Sequence, residues 1–222
     1  MLKELEGGLV VSCQALEGEP LHGSSHMASM ALAAKEGGAA GIRANGPDDI
    51  KAIKKKVDLP IIGILKKEYP GFQAFITTTK ADAKLIADAG ADIIAVDATN
   101  GTRSEKLPEL IEYIKKDLNK PVMADVATLQ EGVQAEALGC DMVGTTLSGY
   151  TEDTKGRPRP DFDLMESLVN TLKVPVIAEG NVDSPEKAKK AIDIGVAFVV
   201  VGGAITRPQL ITRKFAERLK RK

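Results

Sequence analysis

The stretch LIADAGADIIAVDA, residues 85–98, holds the end of one element and the whole of the next. An alanine-rich helical run stops at Gly90, and an apolar strand follows and closes on Asp97. Glycine suits the left-handed position just past a helix end, where a side chain would clash with the backbone. The same plan returns as ALAAKEGGAAGIRA (31–44), AEALGCDMVGTT (135–146) and KAIDIGVAFVVVGG (190–203). Their glycines, Gly38, Gly139 and Gly195, continue a spacing of about 50 residues, the mark of an internal repeat.

Between these units lie strands of a second kind, each opened by proline: LPIIGILK, KPVMADV and VPVIAEG, at Pro60, Pro121 and Pro175. Proline is tolerated at a strand's first residue, where a missing N–H costs little. The N-terminal GGLVVSCQ supplies one more strand, which makes eight. The strands are continuous apolar runs, as parallel strands covered on both faces should be. Eight strands alternating with helices in 222 residues predict a (β/α)8 barrel, as one domain spanning residues 1–222. A doubly wound open sheet is the competitor. The regular pairing of βα units and the absence of GxGxxG after the first strand favour the closed barrel.

The composition narrows the function classes. Thirty basic against thirty-one acidic residues leave a formal net charge of −1, which argues against nucleic acid or an anionic membrane as the main partner. No apolar run reaches the length of a membrane span, and MLKELEGG lacks the apolar stretch of a signal peptide. Cys13 and Cys140 sit far apart in apolar surroundings and read as free buried thiols. His22 and His26 have no Cys or carboxylate at ligand spacing, so no metal site is expected.

In a (β/α)8 barrel the chemistry sits at the C-terminal face, so the residues closing the strands are the candidates. In chain order the strands end at Ser12, Cys13 and Gln14; Arg43; Lys66; Asp97; Asp125; Thr145 and Thr146; Glu179; and Gly202 with Gly203. Any strand emerging from a core meets water and turns polar, but a ring of two cations, three carboxylates and an amide calls for more than that. AEGNVDSPEKAKK places Gly180 and Asn181 after strand seven, ahead of a helix capped at Asp183 or Ser184. VGGAITRPQLI places a Gly-Gly turn and then Arg207 after strand eight. Glycines let backbone N–H groups approach an anion closely, and loops seven and eight are the usual barrel site for phosphate. Gly180, Gly202, Gly203 and Arg207 are therefore the expected phosphate contacts. Strands three and seven face each other across an eight-stranded barrel, so Lys66 and Glu179 should approach a ligand from opposite sides. Inversion at carbon needs that arrangement, one group removing a proton and the other returning it. Burial would disfavour the charged form of each. Lys67, one residue on, is expected at the rim, and the long polar segment at 146–161 is a substrate cover or a plain surface loop.

VSCQALEGEPLH, GIRA, IGILKKEY, ALGCDMVGTTLSGYT, VIAEGNV and VVGGAITRP together resemble the N-acetylmannosamine-6-phosphate 2-epimerase (N-acylglucosamine-6-phosphate 2-epimerase) family over essentially the whole chain. The resemblance implies interconversion of N-acetylmannosamine 6-phosphate and N-acetylglucosamine 6-phosphate in sialic acid breakdown. It also implies no metal or redox cofactor, a cytoplasmic location and a homodimer. The family's proton-transfer pair falls on Lys66 and Glu179. Its sugar contacts fall on Gln14, Arg43 and Asp125, with Thr145 beside them as a further substrate-binding candidate. Lys67 departs from the arginine frequent in relatives, and EYPGFQAFIT is more apolar than its counterparts. Two other readings keep the site: a phosphosugar isomerase or lyase with a Lys66 Schiff base, and a non-catalytic phosphosugar sensor.

Overall fold

The computed structural model describes residues 2–219. Its eight strands form one closed barrel in sequence order, every neighbouring pair parallel. They are β1 (Leu9–Cys13), β2 (Gly41–Asn45), β3 (Ile61–Ile64), β4 (Ile93–Asp97), β5 (Val122–Asp125), β6 (Met142–Gly144), β7 (Val176–Ala178) and β8 (Phe198–Val201). The helices are α1 (Leu2–Leu5), α2 (Ser24–Glu36), α3 (Pro47–Lys54), α4 (Lys80–Asp88), α5 (Leu107–Lys116), α6 (Leu129–Ala137), α7 (Phe162–Thr171), α8 (Pro185–Ile194), α9 (Gly203–Thr206) and α10 (Pro208–Leu219).

The two strand types seen in the sequence do distinct jobs. At Gly90 (φ 104°) the N–H bonds to the carbonyl of Ala87, and the N–H of Ala91 reaches back to Ile86. That pair of bonds ends the helix and turns the chain into the next strand. The same two bonds form at Gly38, Gly139 and Gly195, all at positive φ. Pro60, Pro121 and Pro175 stand one residue before their strands rather than within them. There they need no N–H, while their carbonyls accept from Ile42, Ile94 and Val143 of the preceding strand at 2.9–3.0 Å.

Continuous apolar strands are explained by two cores, one on each face of the barrel wall. Val11, Ile42, Ile94, Val96, Val143, Val176 and Val199 pack outward with the helices, whereas Val10, Ile62, Ile64, Ile93, Met123, Met142, Ile177, Phe198 and Val200 fill the interior. Successive side chains alternate between these faces. The interior parity runs on past Ile64 to Lys66, past Met123 to Asp125, past Met142 to Gly144 and Thr146, and past Ile177 to Glu179. Period two thus delivers those side chains to one mouth.

The N-terminal helix α1, absent from the sequence-based expectation, closes the opposite end of the barrel. Leu5 is fully buried in the interior core, and the Gly7 N–H bonds to the carbonyl of Ala197 at 2.7 Å. Cys13 and Cys140 are free and buried, and burial pushes both thiols up to about 12. The residues before α2 form loop and helix start: Gly23 precedes Ser24, the first helical residue.

Candidate active site

A cleft of about 480 Å³ opens at the C-terminal ends of the strands. Its walls include Ser12, Gln14, Arg43, Lys66, Thr146, Glu179, Gly180, Asn181, Gly202, Gly203 and Arg207. Of the ten predicted site residues, Asp125 and Thr145 do not face it.

Arg43 organises the floor. It lies within β2, two residues before the strand's end, and is 1% exposed. Its guanidinium grips Asp125 with two bonds, Nη1 to Oδ1 at 3.1 Å and Nη2 to Oδ2 at 2.5 Å, and Nη1 also donates to Glu179 Oε2. Asp125 is wholly buried behind this arginine. Both its oxygens hold Arg43, and Oδ1 also accepts from Thr146 Oγ1 at 2.5 Å. Gly144 has the same inward parity, and a Cβ there would lie 2.5 Å from Met123 Cε, so a larger residue would shift the end of that methionine side chain.

One guanidinium therefore faces two carboxylates. If both are ionised, a dry pocket holds an excess negative charge, and a proton on Glu179 removes it. Burial pushes the Glu179 carboxyl up to about 7; Arg43 opposes the shift and the Asp125 charge adds to it. Burial lowers the Lys66 ammonium from its ordinary value and the nearby Arg43 charge lowers it further, with Glu179 in partial opposition. Among the described residues Lys66 makes no ion pair, least of all with Glu179, whose partner is Arg43. Strands β3 and β7 stand four places apart in the closed ring, so the two groups come to the cleft from opposite walls.

Lys66 is not the last residue of β3, which stops at Ile64; it lies two residues beyond, in an isolated antiparallel bridge with Ile76. A local clasp fixes it. Its N–H donates to Asn45 Oδ1 (2.8 Å), the Leu65 N–H to Thr77 Oγ1 (3.0 Å), the Thr77 N–H to the Leu65 carbonyl (2.8 Å) and the Lys67 N–H to the Phe75 carbonyl (2.9 Å). Thr77 is fully buried at φ 46°, a conformation costly for a β-branched residue and held here by the surrounding bonds. This clasp accounts for the apolar EYPGFQAFIT: Phe75 and Ile76 wall the cleft beside the lysine. Lys67 is exposed, stacks on the Tyr69 ring at 4.6 Å and lies outside the cleft wall.

Thr145 has the outward parity. Its hydroxyl donates to the Glu179 carbonyl at 2.7 Å and accepts from the Glu179 N–H at 3.2 Å, so it places the backbone of Glu179 and lies outside the cleft wall. Thr146, which the sequence marked only as a strand end, sits between Asp125 and Glu179, with Oγ1 3.3 Å from Glu179 Oε2. Its signal was the parity that it shares with Gly144. Asp97 is 2% exposed and outside the cleft, bonding Thr99 N and Oγ1 and Phe75 N to tie two loops together. Gln14 donates to Ser12 Oγ at 2.7 Å, while its Oε1 is buried with no hydrogen-bond partner, an acceptor available to a ligand N–H or O–H.

At the rim, Gly180 (φ 105°) and Asn181 (φ 63°) turn the chain sharply after β7. Ser184, one of the two expected caps, closes the N-terminus of α8, its Oγ accepting from the Lys187 N–H at 3.3 Å. Gly202 and Gly203 lead into α9, and Arg207 follows it. The segment after β6 folds on itself through Ser148 to Asp161 (2.5 Å) and the Gly149 N–H to Thr154 (2.9 Å), while Leu147 and Tyr150 wall the cleft.

A family model described as "Putative N-acetylmannosamine-6-phosphate epimerase" matches residues 27–221. Among the relatives, a protein of Clostridioides difficile named "Putative N-acetylmannosamine-6-phosphate 2-epimerase" is 52% identical over 98% of each chain. One of the same name from Caldanaerobacter subterraneus subsp. tengcongensis is 50% identical over 99% of this chain and 94% of its own. The chain belongs to the N-acetylmannosamine-6-phosphate 2-epimerase family. The solved structure of the Clostridium perfringens N-acetylmannosamine-6-phosphate 2-epimerase, 48% identical, superposes with a TM-score of 0.96 over 99% of this chain and 96% of its own. A thiamine phosphate pyrophosphorylase from Pyrococcus furiosus, 18% identical at a TM-score of 0.61, shares the fold alone.

The Thr146 hydroxyl favours the ionised form of Glu179. Thr146→Val should therefore raise the Glu179 pKa further and move the acid limb of the kcat/KM profile to higher pH. Asp125→Asn, which removes the charge that raises Glu179, should move that limb the other way. Identical acid limbs in wild type and both variants would show that Glu179 does not set this titration.

Proposed function

We propose that this protein inverts C2 of N-acetylmannosamine 6-phosphate, giving N-acetylglucosamine 6-phosphate in amino-sugar breakdown. The observation that carries the reading is the pair of side chains at opposite walls of one cleft, Lys66 and Glu179, each shifted toward its neutral form.

The C2 proton is acidic only beside a carbonyl, so the reacting species is the open-chain aldehyde. One of the pair removes the C2 proton, the electrons move into an enol-like intermediate, and the other delivers a proton to the opposite face. Lysine neutral with glutamic acid, or ammonium with glutamate, hold the same number of protons and serve the two directions. Activity should fall below pH about 7, where both groups are protonated, and again as the lowered Lys66 pKa is passed and both are bare. In this reading Arg43, beside Glu179, and the free acceptor of Gln14 bind the sugar's hydroxyls and amide. Gly180, Gly202, Gly203 and Arg207 form the phosphate cradle in this reading.

We also infer a homodimer. None of the described residues of α10 is buried, and Phe215 and Leu219 are 70% and 81% exposed. A groove of about 450 Å³ stays open outside β8, with Leu9, Ala188, Ile192, Val199 and Ile205 in its walls. In a (β/α)8 barrel the last helix covers that position, and a second copy would supply the missing apolar cover. Sedimentation at micromolar concentration should give twice the chain mass, and Phe215→Glu should shift it toward monomer. A wild-type monomer would sink this assignment.

The reaction itself is tested with N-acetylmannosamine 6-phosphate in heavy water, followed at C2 by NMR. The expected result is the epimer carrying deuterium at C2, with turnover lowered about a thousandfold or more in Lys66→Ala and Glu179→Gln. No epimer and no deuterium would overturn the reading. Borohydride-dependent trapping of substrate on Lys66 would replace it with a Schiff-base reaction.

A further inference from the structure

Arg207, the one cation in the expected phosphate cradle, is not loose. Its Nη2 donates to Glu19 Oε2 at 3.1 Å, and its Nε lies 2.8 Å from Glu19 Oε1 without making a hydrogen bond, so the carboxylate holds one edge of the guanidinium through one hydrogen bond and a close ion pair. Nη1 is left on the other side, 3.9 Å from where a Cβ on Gly203 would stand, directly against the Gly-Gly turn. Glu19 comes from the loop between β1 and α2, 188 residues away in the chain. It is itself held, with Oε2 accepting from the Leu16 N–H at 2.6 Å and Oε1 from Gln209 Nε2 at 3.4 Å. These donors and the arginine keep the carboxyl below its ordinary range, against the effect of burial, so it is ionised at neutral pH.

Placement decides what this pair does. Arg207 lines the cleft and Glu19 does not. The carboxylate therefore grips the arginine from behind and leaves free the space that a ligand's phosphate would fill. An unbraced arginine must give up side-chain freedom each time it closes on an anion; a braced one has already lost it. Backbone geometry adds to the case, since Arg207 sits in the short break between α9 and α10, where no helix fixes its direction.

We propose that Glu19 is a positioning residue for substrate binding, holding the Arg207 guanidinium edge-on so that Nη1 faces the phosphate beside Gly203. The proposal rests on the reading of Arg207 as a phosphate contact and adds a residue from the opposite end of the chain to that site.

The test is a double-mutant cycle on the full-length protein, with KM and kcat for N-acetylmannosamine 6-phosphate and the inhibition constant of inorganic phosphate as readouts. Glu19→Gln keeps shape and removes the charge. It should raise KM and the phosphate inhibition constant together by about tenfold while kcat stays within about twofold. Arg207→Ala should raise both constants at least as far, and adding Glu19→Gln to it should change neither further. Glu19→Asp, one methylene shorter, should fall between wild type and Glu19→Gln. If Arg207→Ala leaves both constants unchanged, the phosphate reading of the cradle is wrong. If Arg207→Ala raises them and Glu19→Gln does not, or Glu19→Gln acts equally without Arg207, the positioning role is wrong. A fall in kcat and thermal midpoint with unchanged KM would mark Glu19 as structural only and equally overturn the role.

Discussion

A single buried guanidinium shared by two carboxylates is the constraint on which the site depends. Arg43 is gripped on one side by Asp125 and reaches Glu179 on the other, all three at the base of the cleft. Removing one partner of such a buried pair leaves an uncompensated charge and costs on the order of 3–5 kcal/mol. It is also short of one positive charge. Burial and the Asp125 charge keep a proton near Glu179 against the opposing Arg43 charge, while burial and the Arg43 charge push Lys66 toward its neutral form. Acid–base work at one carbon needs a donor and an acceptor that differ little in proton affinity, and burial, with Asp125 acting on the carboxyl and Arg43 on the amine, brings the two toward that match.

The fold supplies the placement at little local cost. Strand parity sends Lys66, Arg43, Asp125, Thr146 and Glu179 inward, while the alternate residues pack against the helices. Four helix-to-strand junctions share the same glycine turn, and the prolines before β3, β5 and β7 offer carbonyls to their neighbours without needing a donor. These repeated devices fix the register of the whole ring, so a residue's number in its strand determines whether it meets a ligand. The segments that break the pattern add the remaining features: the clasp at Phe75–Thr77 that holds Lys66, and the Glu19 brace under Arg207.

Much of this was legible in the chain, and the parts that were not have a common cause. The glycine period and the proline-led strands carry the closed barrel, because both arise from bonds local to each junction. Lys66 and Glu179 were readable as facing residues since strand order in a closed barrel fixes opposition. Asp125 and Thr145 stand outside the cleft wall, Asp125 behind Arg43 and Thr145 against the Glu179 backbone. Position at a strand end tells which mouth a residue joins, but a partner such as Arg43 can cover it, and that depends on side-chain length and reach across the barrel. Glu19 and Thr77 gave no signal, because each acts through a contact with a distant or irregular segment that no periodicity marks. The short α1 helix was missed for a similar reason: four residues carry no period, and only the open end of the barrel explains Leu5.

The central claim is that burial beside the Asp125 carboxylate holds Glu179 as an acid near neutral pH. The most direct measurement is a carbon-13 NMR titration of the protein labelled at glutamate side-chain carboxyls, with the Glu179 signal assigned by its loss in Glu179→Gln. The account predicts an apparent pKa of about 7 in the free protein. A Glu179 carboxyl that titrates in the ordinary glutamate range, near 4.5, would contradict it.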